Sequence, residues 1–588
     1  MDVECLWNYF LIKFRDLATG VTTAFEQFDG HLLDIAGVAD MLRRYRIVTF
    51  NGQKYDMPMV AFALTGATCD SLKQASDLII RLNLQPWQFE DQVGVKIPTW
   101  IDHVDIFEVC PAPKASLKIY GGRIHSQKMQ DLPFDPDARL DVFGRIVTRE
   151  YCGNDLKVTE DLYRELRPQL ELRDRLSRMY GIDLRSKSDA QIAEAVIKVK
   201  LGYKPARPVV QPGTTFHYRA PDFIAFHTPQ MRAVLDMLAR SPFTIAASGA
   251  PEMTKELANT RIVMGPSTYQ MGMGGLHSNE SGAAHVTNGA HVLSDHDVAS
   301  YYPAIILRLG MSPPQIGEAF QAIYRGIVDQ RLAAKRAGDK ATADGLKITV
   351  NGTFGKLGSK WSFLYAPDLL IQTTITGQLA LLMLIEALDL CGIPVVSANT
   401  DGVVVKCPRG LEWLRDECIR GWEAATGFET EATHYAALYS RDVNNYIAIK
   451  PDGTAKTKGA YAAASLQKNP TSLVCVDAVT AFLTRGVAVE ETIRECRDVR
   501  RFVTIRQVKG GGEYRGEYLG RAVRWYYARG AEGHISYVSN GNKVARSDGA
   551  RPIMELPDTL PDDVDRDWYI AEARGMLADV GYLETAVA

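Results

Sequence analysis

Between His291 and Val298 the chain runs His-Val-Leu-Ser-Asp-His-Asp-Val, a pattern that predicts a strand ending near Asp297. From Tyr301 the spacing changes: Tyr302, Ile305, Ile306 and Leu309 share one face of a helix. Val395-Val396 run into Ser397-Ala398-Asn399-Thr400-Asp401-Gly402 and out through Val403-Val404-Val405, which is a hairpin signature. Ala319–Arg336 reads as a helix joined through Ala337-Gly338-Asp339-Lys340 to a second helix that carries Lys347, Asn351 and Phe354 on one face. At the start, Asp2-Val3-Glu4-Cys5 predicts a strand with both carboxylates on one side. Ile101–Phe107 reads as an inner strand, and Leu156–Met179 as a helical run. Pro205–Gly213 reads as a linker. Residues 214–290 offer no clear pattern, and Tyr269–His277 fits either a glycine-rich contact element or a plain turn.

At 588 residues the chain has room for three or four domains. The apolar fraction is 46% and the charged fraction 23%, both ordinary for globular proteins. No run of some 18 apolar residues and no secretory leader pattern is evident, so a membrane span and secretion are not expected. Nine scattered cysteines without a CxxC pair point to a reducing compartment and away from a structural zinc or iron–sulfur site. The net charge of −3 hides strong local differences. Arg494–Arg529 holds ten Arg/Lys against four Asp/Glu, with Tyr514, Tyr518, Trp525, Tyr526 and Tyr527 among them. Glu555–Ala588 holds nine acidic residues against two arginines. The basic stretch fits a nucleic-acid-grasping element or a mixed-charge surface over core aromatics.

Three motifs in fixed order carry the chemistry: Asp297–Pro303, Lys347–Gly355 and Asn399–Gly402. A lone aspartate is an ordinary turn residue. Two on neighbouring strands can clamp a pair of Mg²⁺ ions about 4 Å apart and stabilise the attacking and leaving oxygens of an in-line displacement. Lys347 can neutralise phosphate, Phe354 one turn on can pack against a base pair, and Arg331 and Lys335 can face Lys347 across the helix pair. A second set is Asp2 and Glu4, Asp56 in Asn51–Asp56, and Tyr151 and Asp155 in Tyr151–Asp155. Four carboxylates and a tyrosine can hold two metals and orient a water on a phosphodiester. Lys114 and Lys118 read as surface lysines or as contacts to DNA, and Asp105 as buried or near that site without a role of its own.

The three motifs resemble motifs A, B and C of the family B (polymerase α-like) DNA polymerases, written DxxSLYP, KxxxNSxYG and DTDS. The resemblance implies Asp297 and Asp401 as catalytic metal ligands. It implies Tyr302 as the ring that lies under the incoming sugar and excludes a ribose 2′-hydroxyl, and Lys347, Asn351, Phe354 and Arg331 as the dNTP site. Lys456–Tyr461 resembles the lysine-containing motif that touches primer-template near its 3′ end, with Lys458 and Tyr461 as the contacts. The order DxE, NxxxYD, YxxxD resembles the DEDDy 3′–5′ exonuclease. That implies Asp2, Glu4, Asp56 and Asp155 as metal ligands, Tyr151 positioning the water and Asn51 meeting the single-stranded 3′ end. Asn399 departs from the usual aspartate, keeping an oxygen but losing a charge, and Gly402 in place of serine is expected to serve the tight turn.

The fold implied is α/β and α+β multidomain: an RNase H-like exonuclease (residues 1–200), a connecting region (201–259) and a right-hand polymerase. Its palm would span 260–318 and 357–465, its fingers 319–356, and its thumb and tail 466–588. With the first motif at the very start, no domain is expected before the exonuclease. Fifty positions separate Asp297 from Lys347 and Asn351 from Asp401, leaving no room for the insertions of protein-primed phage polymerases. The compact build resembles a bacteriophage or prophage replicase, expected to act as a monomer in the cytoplasm of an infected or lysogenic bacterium. Its expected partners are primer-template DNA, dNTPs and a single-stranded DNA 3′ end, without a membrane, and its cofactor Mg²⁺, two per site, with Mn²⁺ an alternative. The competing reading is a catalytically impaired polymerase-fold replication factor that binds DNA and retains only nuclease activity, with Asn399 as its mark. A paired Asp-Asp turn of the reverse-transcriptase type does not occur.

Overall fold

A computed structural model describes residues 1–582; Glu584 of the acidic tail lies outside the described residues. The architecture is mixed α/β, and the chain divides into two compact units. The first comprises Met1–Ser188, Ala463–Val474 and Arg494–Tyr569; the second comprises Asp189–Ala462, Cys475–Ile493 and the chain from Ile570 onward. Residues 466–588 thus divide between the two.

In the first unit, strands Asp2–Leu6, Tyr9–Arg15 and Thr22–Phe28 form an antiparallel sheet. Val3, Phe10, Ile12 and Phe14 turn into a core with Val38, Leu42, Met57 and Val60. The predicted inner strand is shorter than Ile101–Phe107: only His103–Asp105 pairs, in parallel, with Ile47–Thr49. Asp105 ends it because its carboxylate accepts the backbone N–H groups of Asn51, Gln53 and Phe107 at 2.8–2.9 Å, shaping the loop before Asp56. The expected helical run is two helices, Val142–Glu165 and Arg167–Tyr180, with Pro168 at the start of the second, where its missing N–H costs nothing.

The basic C-terminal stretch forms a long hairpin, Thr504–Tyr514 with Glu517–Tyr527. Trp525, Tyr526 and Tyr527 are buried, so these aromatics are core. Arg524 is also fully buried, donating to the carbonyls of Ser126, Gln127, Ile553 and Met554 at 2.8–2.9 Å. Tyr518 and Arg521 meet Asp131 at the surface, and Lys509 and Arg515 stay exposed.

The second unit is built on a seven-stranded antiparallel sheet in the order Thr430–Tyr435, His291–Val298, Gly402–Pro408, Val395–Asn399, Gly275–Ser278, Ser267–Gly272, Ile262–Met264. The Tyr269–His277 stretch is therefore a hairpin of this sheet. One face is covered by helices Tyr301–Leu309, Pro367–Leu390 and Glu412–Thr426. Contrary to the sequence expectation, Pro367–Leu390 is long and apolar enough to cross a membrane, with mean hydropathy 1.5, yet 83% of that window is buried inside the protein. A helix apolar all round fits the middle of a core, where each buried Leu or Ile contributes about 1.5–3 kcal/mol. Helix Ala319–Arg336 has the bounds that the periodicity predicts, and a second helix, Lys340–Leu357, follows the turn and carries Lys347, Asn351 and Phe354. Asp189–Leu201 packs on the second of them at Gly352, where an added Cβ would stand 2.8 Å from the Ala193 methyl.

Candidate active sites

Asp297 reaches its place by strand arithmetic. Leu293, Asp295 and Asp297 alternate onto one face of strand His291–Val298, where Leu293 packs with Val404, Tyr435 and Leu438, and Val298 falls on the helix-covered face. Asp297 is directly opposite Gly402 on the next strand. The hairpin Asn399–Gly402 turns at Thr400, which takes the left-handed conformation (φ 55°) and leaves Asp401 at the tip. Gly402 has no such φ, so it does not serve the turn as expected. A Cβ there would collide with the Asp297 carboxylate, and glycine is what lets that side chain lie flat across the neighbouring strand.

Burial first, and then Asp295 and Asp401, push the Asp297 carboxyl up to about 6 against the opposing pull of Lys456. Burial also raises Asp401. Lys456 sits 3.7 Å from Asp297 and 3.2 Å from Asp295. Although burial opposes it, Asp295, Tyr446 and Asp297 together raise the Lys456 ammonium above its usual range. Two carboxylates whose nearest counter-charge is a lysine ammonium suit a hard cation. Asn399 is otherwise committed: its Nδ2 donates to the Val443 carbonyl at 3.0 Å, which an aspartate could not do.

A cavity of about 770 Å³ opens beside the aspartates, lined among others by Ser300, Tyr302, Arg331, Lys335, Lys347, Asn351 and Phe354. The structure thus gathers the middle motif and both aspartates at one site. Arg331 donates to the Ser300 hydroxyl, and Lys335 pairs with Glu431 at 2.6 Å. Lys347 and Asn351 are exposed to the cavity. Tyr302 stacks on Phe354 (centroids 4.2 Å apart, 14° between planes) and donates to the Gly274 carbonyl at 3.0 Å, so the glycine hairpin braces the ring. Lys458 lines a smaller cavity of about 330 Å³ with Asp401 and lies 5.9 Å above the Tyr446 ring. Tyr461, expected to meet nucleic acid, is 1% exposed and donates to the Met576 carbonyl: it packs the domain and offers no surface.

The N-terminal set also comes together. Asp2 and Glu4 share a strand face, Asp56 opens the helix Asp56–Ala63, and Tyr151 and Asp155 stand one turn apart on Val142–Glu165. Asn51, in left-handed backbone (φ 64°), begins the loop leading into Asp56. Lys118 is not a surface lysine: it pairs with Asp155 and lies 4.3 Å from the Tyr151 ring centre. Lys114 is tied down too, donating to the carbonyls of Phe107, Glu108 and Cys110 at 2.8 Å.

Burial, then Asp155, push Asp2 up to about 6, against Lys118 and the Met1 ammonium. Burial and neighbouring carboxylates raise Glu4 and Asp56 as well. One carboxylate oxygen of Asp56, Oδ1, is buried without a hydrogen-bond partner. Ligand atoms of Asp2, Glu4 and Cys152 all lie within 4.8 Å of one another, so this cluster could chelate a metal ion; by itself it does not reproduce a two-ion site. Sequence reasoning missed Cys152, Lys118, Asp295 and Tyr435. For Cys152 the signal was its place next to Tyr151 on one helix; Lys114 lies outside the helix that carries Lys118, so the spacing of the two lysines held no signal.

No family model matches the chain, and no curated protein matches it. Among solved structures it bears a weak resemblance to the family B DNA polymerase from the hyperthermophilic archaeon Pyrobaculum calidifontis, at 14% identity and a TM-score of 0.41, covering 100% of this chain and 78% of that one.

Proposed function

We propose that this protein is a template-directed DNA polymerase that adds dNTPs to a primer 3′-hydroxyl and carries a proofreading 3′–5′ exonuclease, in the manner of a compact phage replicase. The observation that carries the reading is the single cavity shared by Asp297, Asp401, Arg331, Lys347, Asn351 and Tyr302. Acid, base and aromatic groups there match the parts of a nucleoside triphosphate beside a reacting phosphorus. Arg331 and Lys347 offset the charge of the triphosphate, and Asn351 supplies hydrogen bonds on the same helix face. The Tyr302 ring, fixed by Phe354 and Gly274, closes the space that a ribose 2′-hydroxyl would need. Lys458 places a cation where the primer end would lie against Asp401.

Asp297 and Asp401 in the second unit, and Asp2, Glu4, Asp56 and Asp155 in the first, would hold divalent cations, Mg²⁺ by preference, which when bound supply Lewis-acid charge to the phosphate oxygens. At the N-terminal site Tyr151 orients the attacking water, Lys118 holds Asp155 and Tyr151 in register, and Asn51 meets the frayed 3′ end. In this reading residues 260–318 and 357–465 are the palm and 319–356 the fingers.

The test is a gel assay with a 5′-labelled primer on a longer template in Mg²⁺, with and without the four dNTPs. Extension with dNTPs and shortening without them is the expected result. Shortening in both conditions hands the case to the nuclease-only reading. Extension without shortening makes the Asp2 cluster structural.

A further inference from the structure

Asp295 and Lys456 belong to different sheets, and neither is assigned a part in the polymerase reading. Lys456 lies in Ala455–Thr457, an edge strand of the four-stranded sheet formed with Asn445–Ile449, Ala437–Asp442 and Ala283–Val286. Its ammonium crosses to the seven-stranded sheet, 3.2 Å from Asp295 Oδ2 and 3.7 Å from Asp297 Oδ2. The Asp295 side chain is only 8% exposed, whereas that of Asp297 is 47% exposed. Tyr435 Oη donates to the same Asp295 oxygen at 2.6 Å. A carboxylate this buried needs partners, and Asp295 has two fixed ones. The shorter ion pair is therefore the anchored one, and the longer contact, to open Asp297, is the one that can be given up.

Resting on the polymerase reading above, we propose that Lys456 is a built-in counter-cation for Asp297, held in place by Asp295 and Tyr435, which a divalent cation displaces on entering the site. Lys456 is then a positioning residue. While the site is metal-free it stands as the counter-cation of Asp297, and on displacement it retains Asp295 as its partner. The exchange leaves neither Asp295 nor Asp297 without a cation at either stage. Asp295 sets how easily the exchange occurs, because it draws the ammonium off Asp297.

The test is Mn²⁺ binding to the full chain, followed by electron paramagnetic resonance without DNA or dNTP. An Asp2→Asn, Asp155→Asn background silences the N-terminal cluster. Lys456→Met keeps the aliphatic stem and removes the competing charge. It is expected to tighten Mn²⁺ binding about fivefold, the factor that one unit charge at about 4 Å gives at high dielectric. Lys456→Arg should stay close to the background protein, and Asp295→Asn, which frees the ammonium for Asp297 alone, should bind Mn²⁺ more weakly. Lys456→Gln serves in place of the methionine variant if that one does not fold. Unchanged or weaker binding on removing the lysine charge overturns the proposal. Mn²⁺ binding that does not respond to Asp401→Asn overturns the polymerase site itself, whatever Lys456 does.

Discussion

Asn399 and Gly402 are two departures from the motif that this stretch resembles, and both have local reasons. Asn399 donates to Val443, so Asn399→Asp exchanges a donor for a repelling oxygen. The expected cost is about 1 kcal/mol of stability, typical of one lost hydrogen bond, with no gain in primer extension. A denaturant melt and an extension rate measured side by side check it, and faster extension would refute the structural account of Asn399. Gly402→Ala should be worse, because the new methyl occupies the place of the Asp297 carboxylate. Extension should fall by about 1.4 kcal/mol in barrier or more, that is tenfold or more, while single-strand degradation stays at the wild-type rate. A steady-state comparison of the two activities separates the outcomes.

At the scale of elements, the hairpin of helices 319–336 and 340–357 brings its basic face to the aspartates, while the Gly272–Gly275 turn supplies a carbonyl to Tyr302. Tyr302→Ala removes both the stack on Phe354 and that hydrogen bond, and ribonucleotide incorporation should rise by about two orders of magnitude or more relative to dNTPs. Single-nucleotide insertion with rGTP and dGTP measures it; unchanged discrimination would take Tyr302 out of that role. The helix pair and the strands at 291–298 and 395–408 were legible because local periodicity sets them. Tyr461 and Lys118 were not, since tertiary packing decides which side of an aromatic or a lysine meets solvent, and nothing in a hexapeptide records it. The basic run 494–529 left two readings open for the same reason, and its Trp525, with Arg524 beside it, lies in the core.

Across the whole molecule the two carboxylate sites belong to separate units. Asp401→Ala should therefore abolish extension and leave single-strand degradation intact, as followed on a labelled oligonucleotide; loss of both would sink the two-site reading. Asp2 and Asp297 are both pushed from 3.8 up to about 6 in the folded chain, chiefly by burial. The folded protein holds these protons where the unfolded chain has released them. Their contribution to stability is full below pH 3.8 and is lost as pH rises through about 6. Mg²⁺ should therefore raise the melting temperature more at pH 7.5 than at pH 5, and less at both in an Asp2→Asn, Asp297→Asn variant. Differential scanning fluorimetry with EDTA and with Mg²⁺ reads this directly, and an equal rise at the two pH values would count against it.

The first unit is completed only by Thr504–Tyr527, whose Arg524 ties down the carbonyls of Ser126 and Gln127. A ribosome makes residue 188 long before residue 494, and at about 5–20 residues per second the interval is roughly 15–60 s. For that time the apolar side of Ile119 and Met129, which Ile505 and Ala522 finally cover, stands open on the growing chain. Translation speed across the middle of the message thus sets how long the nascent segment up to residue 188 must be shielded from other chains.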